Sequence, residues 1–252
     1  MEKCLTVLGL GPGAREWITP EAMAALEAAS DLVGYQTYLD LVPDLPNAPR
    51  FHPSGNRVEI ERAREALALA ARGRRAVLVT SGDPGIFAMA SAVYEVLDKE
   101  PENWAGVEVR IVPGISAMQA AAARAGAPLG HDFCVISLSD IRKPWAVVER
   151  RLVHAAQGDF VIALYNPASR TRREQIEKAI CLLLEHRSAV APVVIAQNLG
   201  RAGERVLLTR LDDVDTSIID MRSLLIIGSS QSRHVKRQGE REFVYAPRSY
   251  GA

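Results

Sequence analysis

Three times in its first half the chain passes through a short strand-like run, turns on glycine and proline, and resumes in helical periodicity. The runs are residues 5–8, 76–79 and 107–112, rich in β-branched side chains, and the turns behind them are 9–14, 81–85 and 113–114. Apolar runs of this length bounded by Gly and Pro read as buried strands. The stretches between them read as helices, such as 60–71, which Gly73 stops. Strand and helix in alternation are the grammar of a sheet covered by helices, an α/β fold. In such folds ligands bind at the loops that follow the strands. Three loops of one kind after three strands therefore point to one ligand-binding cleft.

Each loop has its own chemistry. The first, Gly9-Leu10-Gly11-Pro12-Gly13-Ala14, fits the dinucleotide fingerprint G-x-G-x-x-A, and a helix start at Thr19-Pro20 follows it. A dinucleotide site also needs an acid at the far end of the second strand to hold the ribose. Asp31 has the spacing but precedes the apolar pair Leu32-Val33, and Gly34, Tyr35 and Gln36 occupy the far end instead. Pro12 also removes a backbone N–H from the loop that would cradle the pyrophosphate. The first loop is thus not a nicotinamide site. In the second, Ser81-Gly82-Asp83-Pro84-Gly85, glycine lets a ligand approach the backbone and Asp83 can accept from a ribose or a cationic group. Its plainer role is a turn in which Asp83 caps a helix running from Ile86 onward. In the third loop Ser116 is placed to cap the next helix.

The segment 124–130 (RAGAPLG) interrupts the pattern with two glycine-containing turns, at Gly126 and Gly130, and a proline, and a second series of strands follows at 133–136, 160–164, 193–196, 206–209 and 224–227. A domain boundary there is expected, giving units 1–124 and 131–252. Short connections from Val193 onward suit antiparallel pairing, so the second sheet is expected to be mixed. Thr171-x-x-Glu174 is a capping box opening a helix. A chain of 252 residues with 48% hydrophobic content has enough core for two such units. Lys and Arg balance Asp and Glu at 30 each, so no basic field draws in nucleic acid. Cys4, Cys134 and Cys181 stand far apart, with no histidine cluster nearby, which indicates neither a metal site nor disulfides. No apolar run approaches the ~18 residues of a membrane span, and the N-terminal one is too short for a signal peptide. A cytoplasmic protein without a membrane or nucleic-acid partner is expected.

Five motifs in this order and spacing, LGLGPG, SGDPGIFAMA, VPGISAMQAAAARAGAPLGHDFCVISLSD, FVIALYNPASR and APVVIAQNLGRAGE, resemble the tetrapyrrole (precorrin) methylase family over nearly the whole chain. Within it VGYQTYLDLV, SGNRVEIERA and HDFCVISLSD resemble the branch that methylates carbon 17 of precorrin-3B in cobalamin biosynthesis. The resemblance implies two αβα domains with S-adenosylmethionine in the cleft between them, commonly in a homodimer. Carried over motif by motif, it puts Pro12, Gly82, Asp83, Ile86, Ser116 and Ala117 on the N-terminal side of the cofactor. Leu138, Tyr165, Asn166, Ala196, Asn198 and Leu199 would surround its adenine and ribose. Asn166-Pro167 departs from the Met-Gly of several relatives, a change that a backbone contact survives.

The implied reaction is methyl transfer to carbon 17 with contraction of the macrocycle, giving precorrin-4 and S-adenosylhomocysteine. Contraction requires a substrate hydroxyl to lose its proton, so a base is expected. Asp140 and His131 are the candidates carried furthest, beside Asp132, His52 and Tyr35. Arg57, Arg142, Arg170, Arg201 and Tyr35 are the expected contacts to the substrate and its carboxylates, whereas Arg62, Arg64, Arg150 and Arg151 read as solvated helix faces. Two alternatives stay open: an enzyme acting on cobalt-precorrin-3 in the oxygen-independent pathway, and a non-catalytic tetrapyrrole or nucleotide binder on the same scaffold.

Overall fold

The run 76–79 is apolar throughout, and it lies where such a strand belongs, inside a parallel sheet with both faces covered. The protein, described over residues 3–169 and 171–250 of a computed structural model, divides into two compact units, Met1–Ala117 and Met118–Ala252. In the first, β1 (Cys4–Gly9), β2 (Asp31–Tyr35), β3 (Arg50–Ser54), β4 (Ala76–Thr80) and β5 (Glu108–Val112) form one all-parallel sheet in the order β3-β2-β4-β1-β5. Leu5 of β1 stands between Ala76 of β4 and Val109 of β5. The period of two along the strands sorts side chains between two cores. Leu5, Val7, Val33 and Leu78 pack with α3 (Glu59–Ala71) and α4 (Met89–Lys99), while Leu8, Leu32, Val77 and Val79 pack with α1 (Pro20–Ala28). The start of α1 is as read from its sequence: Thr19 Oγ1 accepts from Ala22 N at 3.1 Å and Pro20 occupies the first turn. The sequence gives no sign of β3, because Arg50-Phe51-His52-Pro53-Ser54 is a partly exposed edge strand with no apolar run, a setting that tolerates Pro53.

After α5 (Ala117–Ala125) the main sheet of the second unit is built from β7 (Phe133–Ser137), β8 (Val161–Tyr165), β9 (Pro192–Gln197), β10 (Arg205–Arg210) and β11 (Ser223–Ile227), in the order β10-β9-β11-β8-β7. β7 and β8 are parallel, β11 is antiparallel to both β8 and β9, and β10 is antiparallel to β9, so the sheet is mixed. Ile136, Leu164, Ile195 and Leu225 pack in one core with Leu152 of α6 (Trp145–Gln157) and Ile176 and Leu183 of α7 (Glu174–Leu184).

Two local expectations are corrected. Gly126 does not make a simple turn. It begins β6 (Gly126–Ala127), which pairs in parallel with β13 (Phe243–Tyr245), itself antiparallel to β12 (Arg233–Val235). A Cβ on Gly126 would meet Val244 O at 2.6 Å, so close backbone approach, not a turn, requires this glycine. The capping box does not form either: α7 begins at Glu174 with Arg173 at its N-cap and no side-chain cap, because Ser169 and Arg172 bridge each other and draw the preceding segment into a turn. Among the described residues no helix is long and apolar enough to cross a membrane.

Candidate functional site

Strand order explains why three glycine loops of the first unit meet. β4, β1 and β5 are neighbours running the same way, so the loops behind them leave one edge of the sheet side by side. Gly11 and Gly82 exchange backbone hydrogen bonds at 3.1 and 2.7 Å, each in the left-handed region with φ of +75° and +67°. A Cβ on Gly114 would lie 2.8 Å from Gly9 O. Asp83 locks the second loop to the third: Oδ1 accepts from Gly85 N at 2.8 Å and Oδ2 from Gly114 N at 3.1 Å. It therefore does not cap the following helix. That helix starts later, at Met89, and Ile86 lies in the turn before it, followed by Phe87 at φ +52°. The face of Gly82 is open, for a Cβ there would find only Ala117 N, at 4.0 Å. Pro12 is buried, and Ser116, 2% exposed, stands at the foot of the nine-residue helix α5. A backbone shelf bordered by the N–H groups of a helix start suits a ligand held through main-chain contacts and shape.

Tyr35 ends β2 and Arg57 follows β3, so both stand on this same edge. The Tyr35 ring meets Tyr38 edge-on at 5.3 Å. Arg57 is exposed at φ +65°, and its N–H donates to Asn56 Oδ1 at 2.9 Å. His52 sits within β3, with Nε2 2.9 Å from Asp31 Oδ1 and Nδ1 3.4 Å from Glu65 Oε1. Arg64, Arg150 and Arg151 are solvated as expected, but Arg62 is 5% exposed, and its burial corrects the sequence reading. Its guanidinium is drawn inward by Ser54 Oγ and Gly55 O, groups that no helical periodicity reveals.

In the second unit β7, β8 and β9 all point one way, because β8 and β9 are each antiparallel to β11. Their carboxyl ends share an edge that gathers Leu138, Asp140, Tyr165, Asn166, Asn198 and Leu199, with Ala196 just inside β9. Leu138 N donates to Tyr165 O at 2.9 Å, and Tyr165 Oη accepts from Met118 N, in the first turn of α5, at 3.0 Å. Asn166 and Asn198 both take φ of +51°, a conformation that asparagine accepts more readily than most residues. Asn166 Nδ2 donates to Ser137 Oγ at 2.9 Å and Asn198 Nδ2 to Gly203 O at 3.3 Å. Arg172 clamps the two loops together, donating to Leu138 O at 3.3 Å and Asn166 O at 3.4 Å, and it lies 3.6 Å from Asp140 Oδ1. Gln175 Nε2 donates to the other oxygen of Asp140 at 2.9 Å. Lys143 donates to Ser137 O at 2.9 Å, and burial pushes its ammonium pKa down, helped by the charges of Arg151 and Arg172 against Asp140.

His131 is not brought to this edge. It precedes the amino end of β7, its Nδ1 accepts from Asp132 N at 2.8 Å, and its ring meets Tyr250 edge-on at 5.0 Å. The whole of β7, at ~3.3 Å per residue, separates it from Leu138 and Asp140. Arg142 and Arg201 stand in the loops behind β7 and β9, and Arg170 lies outside the described residues. The sequence reading missed Arg172, Gln175 and Lys143, which serve backbone carbonyls and one carboxylate far along the chain and carry no motif.

Over residues 4–215 the chain matches the family model of Tetrapyrrole (Corrin/Porphyrin) Methylases. It is 48% identical over 250 residues to a precorrin-3B C(17)-methyltransferase of a Sinorhizobium species, covering 99% of this chain and 98% of that one. A probable cobalt-factor III C(17)-methyltransferase of Salmonella typhimurium is 45% identical over 89% of this chain and 92% of its own. The crystal structure of the methyltransferase CobJ matches with a TM-score of 0.90 at 46% identity, covering 96% of this chain and 99% of that one.

Proposed function

The chain belongs to the tetrapyrrole methylases, and on that premise we propose that it carries a methyl group from S-adenosylmethionine to carbon 17 of precorrin-3B and contracts the macrocycle to precorrin-4, in cobalamin biosynthesis. The observation that carries this reading is the 48% identity to a protein of that name, running end to end through both chains. The reading includes a cytoplasmic homodimer.

The donor, when bound, supplies an electrophilic methyl on a sulfonium. The residues present fit such a molecule: Gly82 offers an open backbone face bordered by Ala117 N, and two left-handed asparagines turn the loops behind β8 and β9. In this reading Pro12, Gly82, Asp83, Ile86, Ser116, Ala117, Leu138, Tyr165, Asn166, Ala196, Asn198 and Leu199 are the contacts to the donor. Methyl transfer asks chiefly for geometry, the methyl and accepting carbon near ~3–3.5 Å and in line. Rigid loops supply that geometry, and Asp83 and Arg172 tie the loops down through backbone N–H and C=O groups. Contraction needs a base. Asp140, held by Gln175 Nε2 and facing Arg172, takes the substrate's hydroxyl proton. Arg57, Arg142, Arg170 and Arg201, with Tyr35, meet the substrate and its carboxylates.

Incubating the protein with precorrin-3B and methyl-labelled S-adenosylmethionine tests the reading. Label in a contracted product supports it, and binding of the donor without any labelled product overturns it in favour of a non-catalytic binder. A second reading, a cobalt-containing macrocycle as substrate, is favoured by the 45% identity to the cobalt-factor III relative. A parallel assay with the metallated substrate decides between the two.

A further inference from the structure

A buried guanidinium is costly unless its charge is matched. Arg62 is 5% exposed, and among the described residues no carboxylate pairs with it. It directs its donors to the 54–55 turn and to the start of α4 instead. Nε donates to Ser54 Oγ at 2.7 Å, Nη2 to Gly55 O, and Nη1 to Met89 Sδ at 3.5 Å. Ser54 Oγ passes the tie on to Gly34 O at 3.1 Å. From α3, then, one side chain grips the ends of β2 and β3 and the start of α4, all on the edge that carries the glycine loops. Burial pushes the guanidinium pKa down, opposed chiefly by the charge of Glu59. A neutral side chain would fill this space more cheaply, so the fork itself is being used.

The turn that Arg62 holds contains a strained residue. Arg57 is exposed at φ +65°, and strain of this kind in a non-glycine residue persists only where the surroundings impose it. Asn56 supplies one restraint, through the N–H of Arg57, and the grip of Arg62 on Ser54 and Gly55 supplies the other.

Resting on the function proposed above, we propose that Arg62 is a positioning residue: its buried fork fixes the 54–57 turn so that Arg57 presents its guanidinium to a carboxylate of the tetrapyrrole substrate.

The test is a double-mutant cycle on kinetics. Arg57→Ala should raise KM for precorrin-3B by about tenfold or more, the effect of losing one charge-assisted contact. Arg62→Met should do the same while kcat and the Kd for S-adenosylmethionine stay within about twofold, and the double variant should be no worse than either single one. Additive effects, or an unchanged KM in Arg62→Met, would overturn the proposal. If Arg62→Met fails to fold, Arg62→Lys keeps the stem and charge but loses the planar fork, and the same KM rise in a folded protein is expected. Amide exchange over residues 54–58 is the second measurement and needs no turnover: it should quicken by about tenfold in Arg62→Lys while the rest of α3 stays protected. If wild-type protein turns over neither macrocycle, the functional reading fails on its own, and unchanged exchange at 54–58 would separately overturn the clamp.

Discussion

Asp31 is 1% exposed, yet it is held as a carboxylate. Burial alone would push its pKa up; hydrogen bonds from Arg74, Ser30 and His52, with the charge of Arg74, outweigh burial and hold it at about 2, below the ordinary 3.8. A carboxyl with a depressed folded pKa adds stability above its unfolded value, and that stability is lost as pH falls through the folded value. Asp31→Asn should therefore cost roughly 2 kcal/mol near neutral pH. The gap from wild type should close between pH 3.8 and about 2, which urea unfolding at a series of pH values measures. On the base assignment proposed above, Asp140→Asn should slow contraction by ~10²–10⁴ and leave affinity for the methyl donor unchanged. A methylated, uncontracted macrocycle should then accumulate, visible by mass and absorption. If the two steps are concerted, both will slow together. His131→Ala, at the far end of β7, should turn over like wild type, and the reverse pattern would move the base to His131.

The glycine loops act as one body, so a change in one should be felt in all. Gly114→Ala puts a Cβ against Gly9 O, and overpacking of this kind costs ~1–3 kcal/mol. The expected result is a lowered Tm together with loss of S-adenosylmethionine binding by calorimetry. Asp83→Ala removes the acceptor for Gly85 N and Gly114 N and should weaken donor binding by ~1.5–3 kcal/mol while the fold survives, whereas wild-type affinity would remove Asp83 from the site. These loops are legible in the sequence because β1 and β4 are largely buried apolar runs and β5 is rich in β-branched residues, each followed by glycine and proline. β3 and the small β12-β13-β6 sheet could not be read. They are short, partly exposed, and paired to distant segments, so their stability lies in partners and not in local pattern. The same holds in the candidate site. Leu138, Tyr165 and Asn166 sit in motifs, but nothing local distinguishes the buried Arg62 from the solvated Arg64, or makes Arg172 a clamp in place of a capping-box filler.

For the molecule as a whole the exposed aromatic residues near α4 bear on assembly. Phe87 and Tyr94 are 53% and 50% exposed, while Met89 between them is buried. Light scattering at micromolar concentration should report twice the mass of one chain, and Phe87→Glu with Tyr94→Glu should halve it. A wild-type monomer at that concentration would count against the dimer. The pairing of β1 has a consequence in time. In its sheet it lies between β4 and β5, and Leu5 pairs with Ala76, about 70 residues later in the chain. At roughly 5–20 residues per second, a ribosome releases the first strand roughly 4–14 s before its first partner exists. For that interval the strand is an apolar ribbon with two unpaired edges, which is what chaperones grasp and neighbouring nascent chains copy. A message that stalls before residue 76 leaves that ribbon with no way to close.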